Sequence, residues 1–370
     1  MKPLKIVIIS FSFYPESNPR SFRATELAKE LAHREHHVIV YSLFGNRDYE
    51  KFTKETGVMV KNLNPNNVNN IILKPLSFIR KIFRYFLEYP LIKLVPMVKK
   101  AIQKENEIDY LITIAYPHHI HWGAAFANLT NVKCWVADCG DPYMKNPIYK
   151  PVFYSAWFEK KWGRKVDYIT IPVEKGIDAY YQEFRNKIRI IPQGFDCSNI
   201  RLIAYKENDI PTFTYAGNCY KKGRDVSEFL KHLSTLNENF RFVVYTQTPS
   251  FFEKYSELLG DKMIVNSFIP RDSLLTELSK MDFLINIRNE STVQEPSKII
   301  DYCLSKRPVL EISSLFVEKK ELDEFLHHNY THRMKEIDLS KYEISTIADQ
   351  FLSLYAIKIR SQKDLIDNKI

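Results

Sequence analysis

The segment Gln294 to Ile312, Q-E-P-S-K-I-I-D-Y-C-L-S-K-R-P-V-L-E-I, most narrows the folds open to this chain. An apolar run from Asp282 to Ile287 precedes it, and its own end, Pro308 to Ile312, is again extended and apolar. It therefore reads as strand, loop, helix, strand, the crossover unit of a parallel sheet. Pro296 suits a first helical position, where its fixed φ fits and its missing N–H is not needed. The free N–H groups and positive dipole end of such a helix attract phosphate. Lys298 adds a cationic donor. Asp301 and Tyr302 follow one turn on, which predicts that Asp301 accepts from a ribose whose phosphates rest on Ser297 and Lys298.

The same alternation runs through the rest of the chain. Lys5 to Ser10 is a β-branched run, as in a parallel strand buried on both faces, followed by a helix from about Ser21 and a strand from His37 to Ser42. Asp109 to Ala115, Tyr168 to Pro172, Thr212 to Ala216, Phe240 to Thr246 and Met263 to Asn266 read as further strands. Helices are expected from Trp157 to Val166, at V-E-K-G-I-D-A-Y and from Ser345 to Arg360. At 370 residues the chain exceeds one typical core, so two doubly wound domains are expected. The first loop, F-S-F-Y-P-E-S-N-P-R, lacks G-x-G-x-x-G, which counts against a dinucleotide-dependent oxidoreductase.

Five segments, in this order, resemble retaining glycosyltransferases of the GT-B fold, the group 1 or family 4 type. P-S-K-x-x-D-Y-x-x-x-x-x-P-V-L is similar to the family's P-S-K-x-x-E-Y-x-x-x-G-x-P-V-I, with Asp301 in place of Glu. The family's E-x7-E motif has its first Glu at the position of Val293; Glu290 and Glu295 lie nearby at other spacings. F-Y-P-E-S-N-P-R-S-F-R-A-T-E-L-A-K-E-L-A, C-W-V-A-D-C-G-D-P-Y, I-R-I-I-P-Q-G-F-D and T-F-T-Y-A-G-N-C-Y-K-K-G-R-D are the other four. The resemblance implies an α/β fold of two Rossmann-like, doubly wound domains facing across a cleft: residues 1–195 on the acceptor side, 196–345 binding the nucleotide-sugar, and 346–370 a helix packing back on the first domain.

It also implies residues. On the donor side these are Gly217, where a missing side chain lets backbone approach a ligand, then Lys222, Arg224, Arg288, Ser297, Lys298 and Asp301. On the acceptor side Arg20 and Arg23 stand at a helix start, and solvated charge is the plain alternative for both. Asp138 and Asp141 either serve an acceptor hydroxyl or cap turns. Gly140 occupies the family's Arg position. The loop Y-P-H-H-I-H offers His118, His119 and His121 to acceptor or phosphates, with a satisfied structural histidine the plain fate of at least one. Arg20, His118, His121 and Asp141 are the catalytic candidates. H-H-x-H lacks accompanying acidic residues, so no metal site is expected.

Pro75 to Lys104 carries Phe78, Ile79, Ile82, Phe83 and Phe86 at helical spacing beside Arg80, Lys81 and Arg84. Such a basic amphipathic helix either lies on an anionic membrane surface or packs on its own domain; Pro90 and Pro96 are expected to divide the stretch. A net charge of +9 attracts anionic partners, but no nucleic-acid module is present, and none is expected to bind. Five scattered cysteines without C-x-x-C spacing fit a reducing cytoplasm. No apolar run approaches the roughly 20 residues of a membrane span.

The expected function is transfer of a sugar from a UDP- or GDP-sugar to a hydroxyl of a saccharide or lipid-linked saccharide, with retention, without metal and without a cofactor, since the nucleotide-sugar is a substrate. A cytoplasmic place, peripheral at the inner face of the membrane, and a part in bacterial surface polysaccharide synthesis follow from the same resemblance. A nucleotide-sugar epimerase and a non-catalytic nucleotide-sugar-binding subunit are the alternatives.

Overall fold

Val7 and Ile9 leave β1 (Lys5–Ser10) on one side and Ile6 and Ile8 on the other, and all four are wholly buried. Side chains alternate across a strand, so both faces of this sheet are covered, as its continuous apolar sequence requires. The structure is a computed structural model that describes every residue except 1, 17, 44–46, 64–85, 87, 147–150, 198–199, 201, 221–224, 289–297 and 368–370. It divides into two compact units, Met1–Asp196 with Lys341–Ile370, and Cys197–Ser340.

In the first unit, β1, β2 (His37–Ser42), β3 (Met59–Asn62), β4 (Ile108–Ala115), β5 (Val132–Cys139), β6 (Tyr168–Ile171) and β7 (Ile188–Ile190) form one sheet in the order 3-2-1-4-5-6-7. Every pairing is parallel. The helices are α1 (Pro19–His33), α2 (Glu50–Thr56), α3 (Leu94–Gln103), α4 (His119–Phe126) and α5 (Ser155–Lys165). The order reverses between β1 and β4, the switch point at which ligands of such sheets bind.

Helix α1 starts two residues before the expected Ser21. Asn18 caps it, its side-chain oxygen accepting from the N–H groups of Arg20 and Ser21, and Pro19 takes the first position. Pro96 does not divide its stretch: it is the third residue of α3, within the first turn, whose N–H groups have no helical partner to lose. V-E-K-G-I-D-A-Y forms a short 3-10 helix, Glu174–Ala179, where Gly176 and Asp178 disfavour a longer α-helix. Residues 75–85 and 87 of the expected basic amphipathic helix lie outside the described residues.

The second unit has a five-stranded parallel sheet in the order 10-9-8-11-12, from β8 (Thr212–Ala216), β9 (Arg241–Thr246), β10 (Met263–Ser267), β11 (Phe283–Ile287) and β12 (Val309–Ile312). Its helices are α6 (Ser227–Thr235), α7 (Ser250–Leu259), α8 (Arg271–Leu278), α9 (Lys298–Leu304) and α10 (Lys319–Leu326). Here too the order reverses, between β8 and β11. Phe213 stacks on Phe283 across these two strands, centroids 4.5 Å apart, so the switch point stands on a rigid aromatic core.

The last helix, α11 (Ile344–Asp367), belongs to the first unit. Ile347, Phe351 and Leu354 recur at helical spacing and are buried, and the Tyr110 hydroxyl donates to the Phe351 carbonyl. Lys358 pairs with Asp167 at 2.7 Å. No described helix is long and apolar enough to cross a membrane.

Candidate functional site

In the second unit the end of β8 and the start of α9 bring Gly217, Lys298 and Tyr302 together. Gly217, at the end of β8, has φ +150°, which L side chains rarely adopt, and its N–H is held by the Tyr245 carbonyl. Tyr302, wholly buried on α9, takes the Ala216 N–H on its hydroxyl at 2.9 Å and so ties α9 to the strand end. Lys298 reaches back over the Tyr215 ring, its Nζ 4.4 Å from the centroid and 3.3 Å from the hydroxyl. A Cβ at Gly217 would come within 3.5 Å of that Nζ, so the glycine and the ammonium face the same space.

Asp301 is engaged by a partner that sequence reasoning did not assign. Arg271, the first residue of α8, donates from Nε to Asp301 Oδ1 at 2.7 Å, and both side chains are mostly buried. Burial pushes the Asp301 carboxyl up even with this guanidinium beside it. The only sequence signal for Arg271 is its place after Pro270, at a helix start. Arg288 follows β11 and turns to Glu311 of β12, 3.4 Å away, with more than half of its side chain exposed. Lys222, Arg224 and Ser297 lie outside the described residues, as do Pro296 and Val293. Asn218 acts as a turn clamp, its side-chain oxygen accepting the Gln247 N–H at 2.9 Å.

In the first unit, Arg20 and Asp141 meet at 3.0 Å, each part-exposed. Gly140 makes this possible, because a Cβ there would overlap the Arg20 guanidinium. Arg23, expected beside Arg20 in the open, is buried instead: it forms a two-point pair with Asp138, and its Nη2 also donates to the Ile191 carbonyl. Asp138 therefore neither caps a turn nor stands free for an acceptor, since the Thr170 hydroxyl donates to it as well, at 2.6 Å. A helical repeat of three residues sends Arg20 and Arg23 to the same side of α1 but to different depths.

The three histidines are buried. His119 sits on the Trp122 ring with Nε2 2.9 Å from Glu88 Oε2. His118 Nε2 lies 3.2 Å from the Asp141 carbonyl. His121, with no exposed surface, lies between the Thr113 hydroxyl, 2.9 Å from Nδ1, and Cys139 Sγ, 3.3 Å from Nε2. Burial pushes His118 down to about 3 and His121 well below the usual range, and lifts the Cys139 thiol well above its own. Both rings are therefore neutral and offer no charge to a phosphate.

No protein-family model matches the sequence, and no curated protein matches it either. Solved structures do. A glycosyltransferase from Rickettsia africae ESF-5 is similar with a TM-score of 0.64 at 13% identity, over 97% of this chain and 99% of that one. HepE of Anabaena, in complex with UDP and glucose, has a TM-score of 0.62 at 11% identity, over 95% and 99%. A variant of TarM from S. aureus, in complex with fondaparinux, alpha-GlcNAc-glycerol and UDP, has a TM-score of 0.63 at 10% identity, over 95% and 99%. At such identity the likeness is one of fold: this chain has the two doubly wound parallel units of the GT-B glycosyltransferase fold.

Proposed function

We propose that the protein is a glycosyltransferase that moves a sugar from a nucleoside-diphosphate donor, a UDP- or GDP-sugar, to a hydroxyl of a saccharide or lipid-linked saccharide, with retention and without metal in the transfer. The observation that carries this reading is the Lys298 ammonium facing Gly217 at the end of β8, with Asp301, held by Arg271, one turn further along the same helix α9. The fold neighbours HepE and TarM, solved with UDP, support it.

In that reading the Lys298 ammonium faces the diphosphate, and the glycine leaves room for it. Asp301 gives one oxygen to Arg271 and accepts a ribose hydroxyl on the other. As the sugar leaves, negative charge builds on the diphosphate, so a preorganised cation stabilises the transition state more than the ground state. Lys222 and Arg224 are assigned to the same task from sequence. Arg20 and Asp141, paired and part-exposed, orient the acceptor. The net charge of +9 supports a place against an anionic membrane face, where a lipid-linked saccharide acceptor would lie, and a part in surface polysaccharide synthesis belongs to the same reading.

The test is thermal unfolding with UDP, GDP, ADP and CMP, each with and without magnesium. A ligand at one hundred times its dissociation constant adds about 2.7 kcal/mol. A magnesium-independent rise with UDP or GDP, lost in Asp301→Ala, supports the site. No rise with any nucleotide overturns it. Donor binding without sugar release across a broad acceptor panel would favour a binding subunit over an enzyme.

A further inference from the structure

Behind the Asp141 loop, His118 and His121 from the start of α4 and Cys139 from the end of β5 bring one donor atom each to within 4.8 Å of one another, all buried. The H-H-x-H spacing alone lacks a third ligand of the right kind; the parallel pairing of β4 with β5 supplies it, because Ala115 and Cys139 are register partners. One nitrogen of each ring lies against an oxygen, the kind of contact that the outer nitrogen of a metal-bound histidine makes. His118 Nε2 faces the Asp141 carbonyl, which only accepts, so that nitrogen carries the hydrogen. Its Nδ1 then keeps a lone pair, buried and without a hydrogen-bond partner among the described residues. On His121, the Thr113 hydroxyl receives the Trp135 indole N–H and faces the Val136 carbonyl. Donation from Thr113 to that carbonyl leaves Nδ1–H of His121 to donate to Thr113, and the Nε2 lone pair points at Cys139.

We propose that His118, His121 and Cys139 form a three-ligand site for a thiophilic d10 cation, with zinc the ion of choice. Two imidazoles and a thiol suit zinc and exclude calcium and magnesium, which require oxygen. Bonds of about 2.0 to 2.3 Å in a tetrahedron place donors roughly 3.4 to 3.6 Å apart. The His121 to Cys139 edge, at 3.3 Å, has that length already. Binding forms a zinc–sulfur bond and breaks the S–H bond, whose proton passes to solvent, so one proton is released per ion. The ion ties the loop after β4 to the loop after β5, two residues from Asp141. It is a staple behind the Arg20–Asp141 pair and is independent of the donor site.

The experiment uses the full chain, stripped with a chelator and titrated with Co2+ as the probe, then with Zn2+. Expected are one ion per chain, a thiolate-to-cobalt charge-transfer band in the near ultraviolet, intense tetrahedral d–d absorption, release of one proton, and displacement by Zn2+ with a rise in Tm. Cys139→Ser abolishes the charge-transfer band, and Thr113→Val, which removes the oxygen behind His121 and with it the acceptor of the Trp135 indole N–H, weakens binding about ten-fold. A wild-type protein that gives no thiolate band, or a band that persists in Cys139→Ser, overturns the proposal. The wild-type titration decides it even where a variant fails to fold.

Discussion

Arg23 and Asp138 form a parallel two-point ion pair in the interior of the first unit, Nη2 to Oδ1 2.8 Å and Nε to Oδ2 3.1 Å, each side chain about one-twentieth exposed. The same guanidinium donates to the carbonyls of Ile191 and Pro192, so a helix, a strand end and the chain leaving the first sheet meet at one charge. Removing one partner of a buried pair strands the other charge. Asp138→Asn is therefore expected to cost about 3–5 kcal/mol, read as a fall in the urea midpoint. Replacing both, Arg23→Met with Asp138→Leu, should recover most of that loss. A double variant as unstable as the single would mean the pair matters for its backbone contacts and not for its charge.

Gly140 is the condition for the other arginine. Gly140→Ala places a methyl group where the Arg20 guanidinium lies, and that side chain, being flexible and part-exposed, swings away from Asp141. Loss of a part-exposed pair changes stability by about 1 kcal/mol or less. If Arg20 orients the acceptor, transfer should nonetheless fall at least ten-fold, as in Arg20→Ala, with UDP binding unchanged. Equal activity in Gly140→Ala and wild type would remove Arg20 from the acceptor site.

Much of the frame was legible in the sequence because it follows from local rules. β1, β2 and β8 run from Lys5, His37 and Thr212 to Ser10, Ser42 and Ala216, as their β-branched patterns indicate. The helix ends were less so: Asn18 and Pro19 shift α1, and Pro96 reads as a breaker unless its place in a first turn is known. Pairings were not legible. Arg23 and Asp138 are 115 residues apart, and Arg271 and Asp301 are 30 apart, so nothing in spacing says which charge meets which. Cys139 was legible as a cysteine but not as the neighbour of His121, which only the β4–β5 register supplies.

Glu159 makes stability depend on pH. It lies buried on α5, with one oxygen accepting the Met144 N–H at 3.1 Å and Oε1 without a hydrogen-bond partner among the described residues. Burial lifts its carboxyl from 4.5 to about 7. Below pH 4.5 both folded and unfolded forms are protonated and nothing is lost. Between 4.5 and 7 the folded state binds more protons, so stability falls as pH rises, by about 3 kcal/mol in all. Glu159→Gln keeps the acceptor and removes the charge. It should match wild type near pH 4.5 and exceed it at pH 8, and parallel stability curves from pH 4.5 to 8 would refute the assignment.

Lys298 and Tyr215 separate two contributions to nucleotide binding. Tyr215 is almost wholly buried, holding the ammonium by its ring face and its hydroxyl, while the hydroxyl also donates to the Asn218 carbonyl. Tyr215→Phe removes the hydroxyl but keeps the ring, so the cation stays over the same face and UDP affinity should fall no more than about three-fold. Lys298→Ala removes the charge itself. Hydrogen bonds to charged groups are worth about 1.5–3 kcal/mol, or roughly 10- to 150-fold in affinity. Isothermal titration with UDP gives both numbers. Should the two variants lose affinity equally, the hydroxyl rather than the ammonium would be what meets the diphosphate, and Lys298 would be no more than a prop for the end of β8.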